Sequence, residues 1–373
     1  MGVSIKTIQD AEDFVRGATF LGTGGGGDPK KGLKFLTETL KEFGEIKWVD
    51  PTEISDDLWV ATPYYMGSIA PLTEETKQKM QKLGLAKKVI ERVLPEAVKE
   101  LEAFTGKKIE AVVPVELGGL NTPAPIDTAL RLGIPVIDGD YAGRAIPEIC
   151  QTTPPMFGMD VTPIASVDEW GNKAIIKSAV NANLAEMIGK LISIAGFGLV
   201  GQAAYLMTGK DMKRVIVPGT LTKSLELGRT IREAREKGKD PVKAAAEYLD
   251  GWILFKGKVT KKEWWDAEGY MWGITHIEGI DEFKGHKFKI WFKNENHVSW
   301  LDEEPYVTSP DIIEVVELKT AEPITNTDLK EGTTVAVIGA KCDEKLRTPE
   351  GLDVLGPKHF GFDIEYIPIE KRV

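Results

Sequence analysis

Three short segments of this 373-residue chain gather residue types that can move protons or hold a polar ligand. The first is the run Gly22-Thr23-Gly24-Gly25-Gly26-Gly27, followed by Asp28-Pro29. The second, Glu116-Leu117-Gly118-Gly119-Leu120-Asn121, sets a carboxylate and an amide around a pair of glycines. The third, Asp138-Gly139-Asp140-Tyr141-Ala142-Gly143-Arg144, leads into Pro147-Glu148. Carboxylates brought together raise one another's pKa and can act as general acid or base near neutral pH, while a guanidinium stays cationic and binds an anionic or carbonyl group. Glu116, Asp138, Asp140, Arg144 and Glu148 are therefore the candidate catalytic set, suited to hydrolysis at a polarised carbon. The same carboxylates offer a second use, holding a divalent metal ion with water completing its shell, although the sequence requires no cofactor. Helix caps and surface ion pairs are the structural alternative for any one of them.

The glycine run formally satisfies a dinucleotide-binding pattern, but that fingerprint needs a strand before the loop, and here a helical pattern precedes it. A phosphate-binding loop would need Lys after the last glycine, where Asp28 stands. What remains is bare backbone whose N–H groups can approach a ligand. A tight helix–helix turn needs one or two glycines, so four in a row favour a ligand-facing loop, with Gly24, Gly25, Gly26, Gly27 and Asp28 as binding residues. Gly118 and Gly119 allow a similar approach. Asn121 reads equally as a ligand contact or as the cap of the following helix. Pro63-Tyr64-Tyr65-Met66-Gly67-Ser68, expected as a loop after a strand, supplies flat surface, and Tyr64 and Tyr65 join the binding set. Cys150 and Cys342 are the only cysteines, and Cys150 reads as buried and inert.

These segments need elements to hold them. Apolar spacing predicts a helix over 8–20 capped by Thr7, then a second opening at Asp28-Pro29. Strands are expected at Ile46–Val49, Leu58–Thr62, Ile109–Val115 and Ile134–Asp138, with helical stretches over most of 73–105 and over 123–132. Alternation of this kind argues an α/β fold whose amino-terminal part, residues 1–165, is a mainly parallel sheet with helices on both faces. Residues 166–373 form a second domain, with helices at 181–208, 220–238 and 241–250, then a strand-rich sandwich- or barrel-like part from Trp252 to Val316. A last strand is expected at Thr333–Gly339, and Gly356 to Phe362 form an ordered loop.

Composition narrows the partners. Net charge is −10 and each half of the chain is acidic, so no basic footprint for nucleic acid exists, and a small molecule is the expected partner. The start of the chain lacks the apolar core of a signal peptide, and few cysteines suit a reducing cytoplasm. Leu191 to Gly209 is free of charge, yet its glycines and Gln202 suit buried packing better than a membrane span. His276, His286 and His297 fall by chance spacing and not as a metal site. Clustered tryptophans between Trp252 and Trp300 suggest core packing or a subunit contact, and a homo-oligomer is expected. Few Gln and Asn beside abundant Lys, Glu and Arg match a thermophilic bias.

The three segments, together with Pro218-Gly-Thr220, Gly228-Arg229, Asn294-Glu-Asn296, Pro310-Asp311, Arg347-Thr-Pro349 and Gly356-Pro357, resemble the S-methyl-thiohydantoin desulfurase family over nearly the whole chain. The resemblance implies two domains and hydrolytic loss of a methylthio group from a five-membered heterocycle, leaving hydantoin. Glu116 or Asp138 would then activate water, Arg144 and glycine-loop amides would stabilise developing charge, and Asp140 or Glu148 would orient water, ring nitrogen or metal. Two other classes stand beside it: a noncatalytic ligand-binding subunit docked on hydantoinase-type partners, and a metal-dependent amidohydrolase opening a cyclic amide.

Overall fold

The computed structural model describes residues 4–68, 72–85 and 87–373. Met1 to Val3 of the amino-terminal reading, and Ala86 within the helical 73–105 stretch, lie outside the described residues. The chain opens with β1 (Ser4–Ile5) and α1 (Ile8–Leu21), whose start is fixed by a reciprocal capping box between Thr7 and Asp10. The glycine run ends α1. Asp28 then accepts the Lys30 amide at 2.9 Å and caps α2 (Pro29–Phe43), so the loop joins helix to helix as its spacing implied. Next come β2 (Ile46–Val49), β3 (Trp59–Met66), α3 (Glu74–Lys82), α4 (Val93–Thr105), β4 (Ala111–Val112), α5 (Pro123–Leu132), β5 (Val136–Ile137) and β6 (Gly139–Asp140). After α6 (Thr153–Met156) follow β7 (Ile164–Val167), β8 (Lys173–Ile176), α7 (Ala182–Ala195), β9 (Val200–Thr208), α8 (Gly209–Val215), β10 (Val217–Pro218), α9 (Thr220–Glu236) and α10 (Pro241–Tyr248).

Eight of these strands form one sheet in the order β1-β2-β5-β4-β3-β9-β7-β8. Its centre, β2-β5-β4-β3, is parallel, and its flanks are antiparallel, so the α/β sheet is mixed. Side chains alternate between its faces. Val60, Val113 and Ala204 enter a core with α7 and α8, while Ala61, Ala203 and Ala165 enter another with α4. Helices thus cover both faces.

The stretch expected as one helix over 181–208 is instead α7, a turn and β9. Gly196 stops the helix, and Val200 to Thr208 pair with β3 across the middle of the sheet. The charge-free run is therefore the end of α7, a turn and a central strand, and among the described residues no helix is long and apolar enough to cross a membrane. The partition expected at residue 165 falls inside β7, and the first sheet continues to Thr208. β3 also extends to Met66, which puts Tyr64 and Tyr65 in the strand and not in a loop.

The rest of the chain forms a seven-stranded antiparallel half-barrel sheet, ordered β15-β14-β13-β12-β11-β17-β16. Its strands are β11 (Trp252–Ala267), β12 (Tyr270–Gly279), β13 (Lys287–Lys293), β14 (Glu295–Leu301), β15 (Glu304–Thr308), β16 (Ile312–Glu317) and β17 (Thr334–Ala340), followed by α11 (Pro349–Leu355). Phe20 and Leu21 of α1 share a core with Leu227 and Ile231 of α9 and with Ile312 and Ile338 of this sheet, which welds the two halves together.

Two glycine turns meet at that junction. Gly26 sits at φ +74°, and a Cβ built on it would lie 2.4 Å from the Cα of Gly118. One built on Gly118 would lie 2.3 Å from the Cα of Gly26. The Gly26 carbonyl accepts the Leu120 amide at 2.9 Å, so the turns are held in backbone contact. Gly118→Ala forces that contact apart and is expected to cost about 2–3 kcal/mol or more, read as a lower denaturant midpoint at unchanged m-value.

Candidate active site

Beyond the carboxyl ends of β3 and β4 lies a small inner cavity of about 50 Å³, closed on its far side by the β13–β14 turn. Glu116 is at its wall and only 4% exposed. The Asn121 amide donates to its Oε1 at 2.8 Å and the Ile146 N–H to its Oε2 at 2.7 Å. Asn121 is in turn clamped to β3, accepting the Tyr65 N–H at 2.9 Å and donating to the Tyr65 carbonyl at 3.1 Å. It is a bridge that aims Glu116 and not a helix cap. Burial drives the Glu116 carboxyl up against these hydrogen bonds, to a pKa of about 7.

Three ionisable side chains that the sequence reading missed share the cavity. Glu186 and Lys190 come from α7, four residues apart on its inward face, with Nζ 3.7 Å from Oε1. Tyr270 donates to Glu186 Oε1 at 2.7 Å and Ile149 N–H to its Oε2 at 3.0 Å. The Lys190 ammonium donates to the Gly67 carbonyl at 3.2 Å and lies 4.1 Å over the Tyr270 ring. Burial lowers its pKa, against the charges of Glu186 and Glu295. Glu295, from the start of β14, accepts the Gly26 N–H at 3.2 Å with Oε1, while its buried Oε2 has no partner. Burial and the charge of Glu116 hold Glu295 well above the usual carboxylate range. The buried Tyr64 hydroxyl is also without a partner. One signal was in the sequence: an isolated Glu and Lys at i, i+4 inside an otherwise apolar helix, too costly to bury without a purpose.

The inner cavity shares Gly27, Tyr65, Leu120 and Leu199 with an outer cleft of about 660 Å³, whose walls include Gly24, Gly25, Asp28, Phe35 and Phe197. Gly24 to Asp28 therefore border the site. Their hydrogen-bonding groups are nevertheless largely engaged: Gly25 N–H donates to Gly22 O at 2.9 Å, Gly26 N–H to Glu295, and Gly24 O accepts the Asn326 N–H at 2.7 Å. The Gly25 and Gly26 amides, expected to stabilise charge on a ligand, are thus already paired. Gly118 donates to Thr122 Oγ1 at 2.8 Å and packs against Gly26, while Gly119 packs against Pro29 and Gly32; neither lines either cavity.

Four of the five expected catalytic residues lie off the cavity. Asp138 caps α9, accepting from Leu221 N–H at 3.0 Å and Thr222 N–H at 3.1 Å. Asp140, raised by burial to about 7, accepts from Ala142 and Gly143 N–H at 2.9 and 2.7 Å and shapes the turn before Arg144. Arg144 is fully buried, and every guanidinium N–H is used. Nε donates to Ala145 O, Nη1 to Pro310 O and Asp311 O, and Nη2 to Thr23 Oγ1 and Asn296 O, all at 2.9–3.0 Å. No donor is left for a ligand. Glu148 pairs with Lys293 and with His359 Nε2 at 3.0 Å, and the Cys150 thiol donates to it at 3.4 Å. Burial alone would raise Glu148, but His359 and Lys293 pull it down to about 2. The same surroundings push the Cys150 thiol far up, which keeps it unreactive. His276, His286 and His297 do not converge on one ion; among the described residues no group of three or more His, Cys, Asp or Glu side chains is set to hold a metal.

Fold and site define a two-domain protein in which a mixed α/β sheet and an antiparallel sheet enclose a buried acid–base pocket. The chain belongs to the S-Me-THD-like family: the family's N-terminal domain matches residues 9–178 and its C-terminal domain residues 180–369. A crystal structure of a protein from Chromobacterium violaceum has the same fold, with a TM-score of 0.77 at 21% identity, covering 98% of this chain and 100% of that one. Comparison with curated proteins gives no match.

Two outcomes follow from the buried charges. Arg144→Met leaves carbonyl acceptors buried without donors and is expected to cost about 3–5 kcal/mol in denaturant unfolding, and Arg144→Lys, which lacks the fork, does not restore it. Because Glu148 is depressed from 4.5 to about 2, its stabilisation is complete above pH 4.5 and is lost as pH falls towards 2. Wild type should lose on the order of 2–4 kcal/mol across that window relative to Glu148→Gln, measured as the difference in their unfolding free energies against pH.

Proposed function

We propose that the chain is a hydrolase of small hydantoin-like heterocycles, removing the methylthio group of an S-methyl thiohydantoin with Glu116 as general base. The observation that carries this reading is the Glu116 carboxyl: it is buried, it is poised at about 7, and it faces a cavity that also holds a lysine ammonium and an unpartnered phenol. A cavity of about 50 Å³ has room for one or two waters, each taking roughly 30 Å³, so the ring lies at the mouth, where inner cavity and outer cleft join. Tyr65 and Leu199 flank that mouth.

In this mechanism Glu116 takes a proton from water as its oxygen bonds to the ring carbon bearing sulfur. Negative charge develops on the adjacent ring nitrogen, which takes a proton from the Lys190 ammonium, with the Tyr64 hydroxyl as a second donor. The new hydroxyl then gives its proton back to Lys190 as its electron pair forms the carbonyl, the C–S bond breaks with its pair leaving on sulfur, and the proton held by Glu116 passes to the thiolate to give methanethiol. Lys190 thus takes the cationic role first expected of Arg144, and the carboxylate choice falls on Glu116 and not Asp138, which is committed to α9.

The test is release of free thiol from S-methyl thiohydantoin. Turnover should rise with pH through about 7, as Glu116 ionises. Glu116→Gln should lower kcat by roughly 100-fold or more and flatten that limb, while Asp138→Asn leaves the limb in place. Ring binding without thiol release would favour the noncatalytic subunit, and chelator-sensitive ring opening the metal-dependent amidohydrolase.

A further inference from the structure

α7 is turned inside out for a helix on a protein surface. Its two ionisable residues, Glu186 and Lys190, point inward to the cavity and are buried. Its outward positions are Leu184, Met187, Ile188, Leu191 and Ile194, between 38% and 64% exposed, and Val180 just before the helix is 88% exposed. These residues follow the i, i+3, i+4, i+7 spacing of a core-facing stripe, yet among the described residues nothing covers them. Together they expose roughly 600 Å² of apolar surface, at the top of what a monomer ordinarily carries and close to the roughly 800 Å² each partner gives to a stable interface.

We infer that this face of α7 is covered by the α7 face of a second copy of the chain, packed about a two-fold axis. Three observations choose that occupant. Within α7 the outward face carries no charge, so two chains of net charge −10 can meet there without like charges in contact. The area matches one side of a symmetric interface. A lipid surface is disfavoured because α7 has no outward Lys or Arg to meet headgroups and the acidic chain is repelled by an anionic leaflet. The pairing also bears on the pocket: the helix whose outer side it covers forms, with Glu186 and Lys190, one wall of the inner cavity. It replaces the tryptophan-rich sheet, where Trp264 and Trp265 are each 47% exposed, as the principal subunit contact.

The test is sedimentation equilibrium of the full chain near 10 µM, with Met187→Glu and Leu191→Glu beside wild type. Both positions are already solvent-exposed, so far-UV circular dichroism should be unchanged in the variants. Wild type should be a dimer, and each glutamate should raise its dissociation constant at least ~100-fold. As an independent readout, Leu191→Cys or Met187→Cys should give a disulfide-linked dimer on mild oxidation, since the native Cys150 and Cys342 are buried. A monomeric wild type overturns the proposal, as does a dimer that both glutamates leave intact. A wild-type monomer that binds phosphatidylcholine vesicles through this face overturns it in favour of a membrane surface.

Discussion

One buried guanidinium holds the functional part of this molecule in place. Arg144 spends all of its donors on oxygens drawn from four places: its own turn, the glycine run at Thr23, β14 at Asn296, and the Pro310-Asp311 segment entering β16. A charge removed so completely from water is tolerable only when it is fully hydrogen-bonded and surrounded by opposite charge, and Glu295, Asp311 and Glu116 supply the field. Burial lowers its pKa to about 10, so it stays protonated at neutral pH. With Arg144 fixed, the glycine run lies against both Glu295 and the Gly118 turn, and the second sheet cannot drift from the first.

That arrangement explains why the pocket has the electrostatics it has. Three glutamates and one lysine in a nearly dry space cannot all be charged, and burial pushes each towards its neutral form. Glu116 is the carboxylate that its hydrogen bonds return to the neutral range, because a backbone N–H and a clamped Asn121 both favour its ionised form. Glu295, with one backbone donor and an unpartnered oxygen, is held well above the usual carboxylate range. The number of donors aimed at each carboxyl thus sets how strongly it holds its proton.

The placement of α7 carries a second constraint. It must deliver Glu186 and Lys190 to the pocket from the sheet face where β9 returns beside β3, and doing so turns Leu184, Met187, Ile188, Leu191 and Ile194 to solvent. Apolar residues there cost little in the isolated fold, since burying them on the sheet side would have displaced the two ionisable groups. The helix is therefore shared between a wall of the inner cavity and an outer surface that a symmetric copy can cover.

Much of the framework was legible in the sequence because it is local. Thr7, Asp28 and Pro29 fix helix ends by bonds within a few residues, and apolar spacing placed α5, α9 and α10. Glu116 and Asn121 could be singled out because both lie in one short segment after a strand, and the fold sets both at the inner cavity. What the tertiary structure alone decided are the roles that depend on distant partners. Arg144 reads from sequence as a free cation, and only carbonyls more than 150 residues away make it a structural pin. Asp138 reads as a candidate base, and only the start of α9 makes it a cap. Glu186, Lys190 and Glu295 reach Glu116 across 70 to 179 residues of chain, where periodicity and capping carry no information, since an ionisable group takes its pKa and its partners from whatever the packed fold sets beside it.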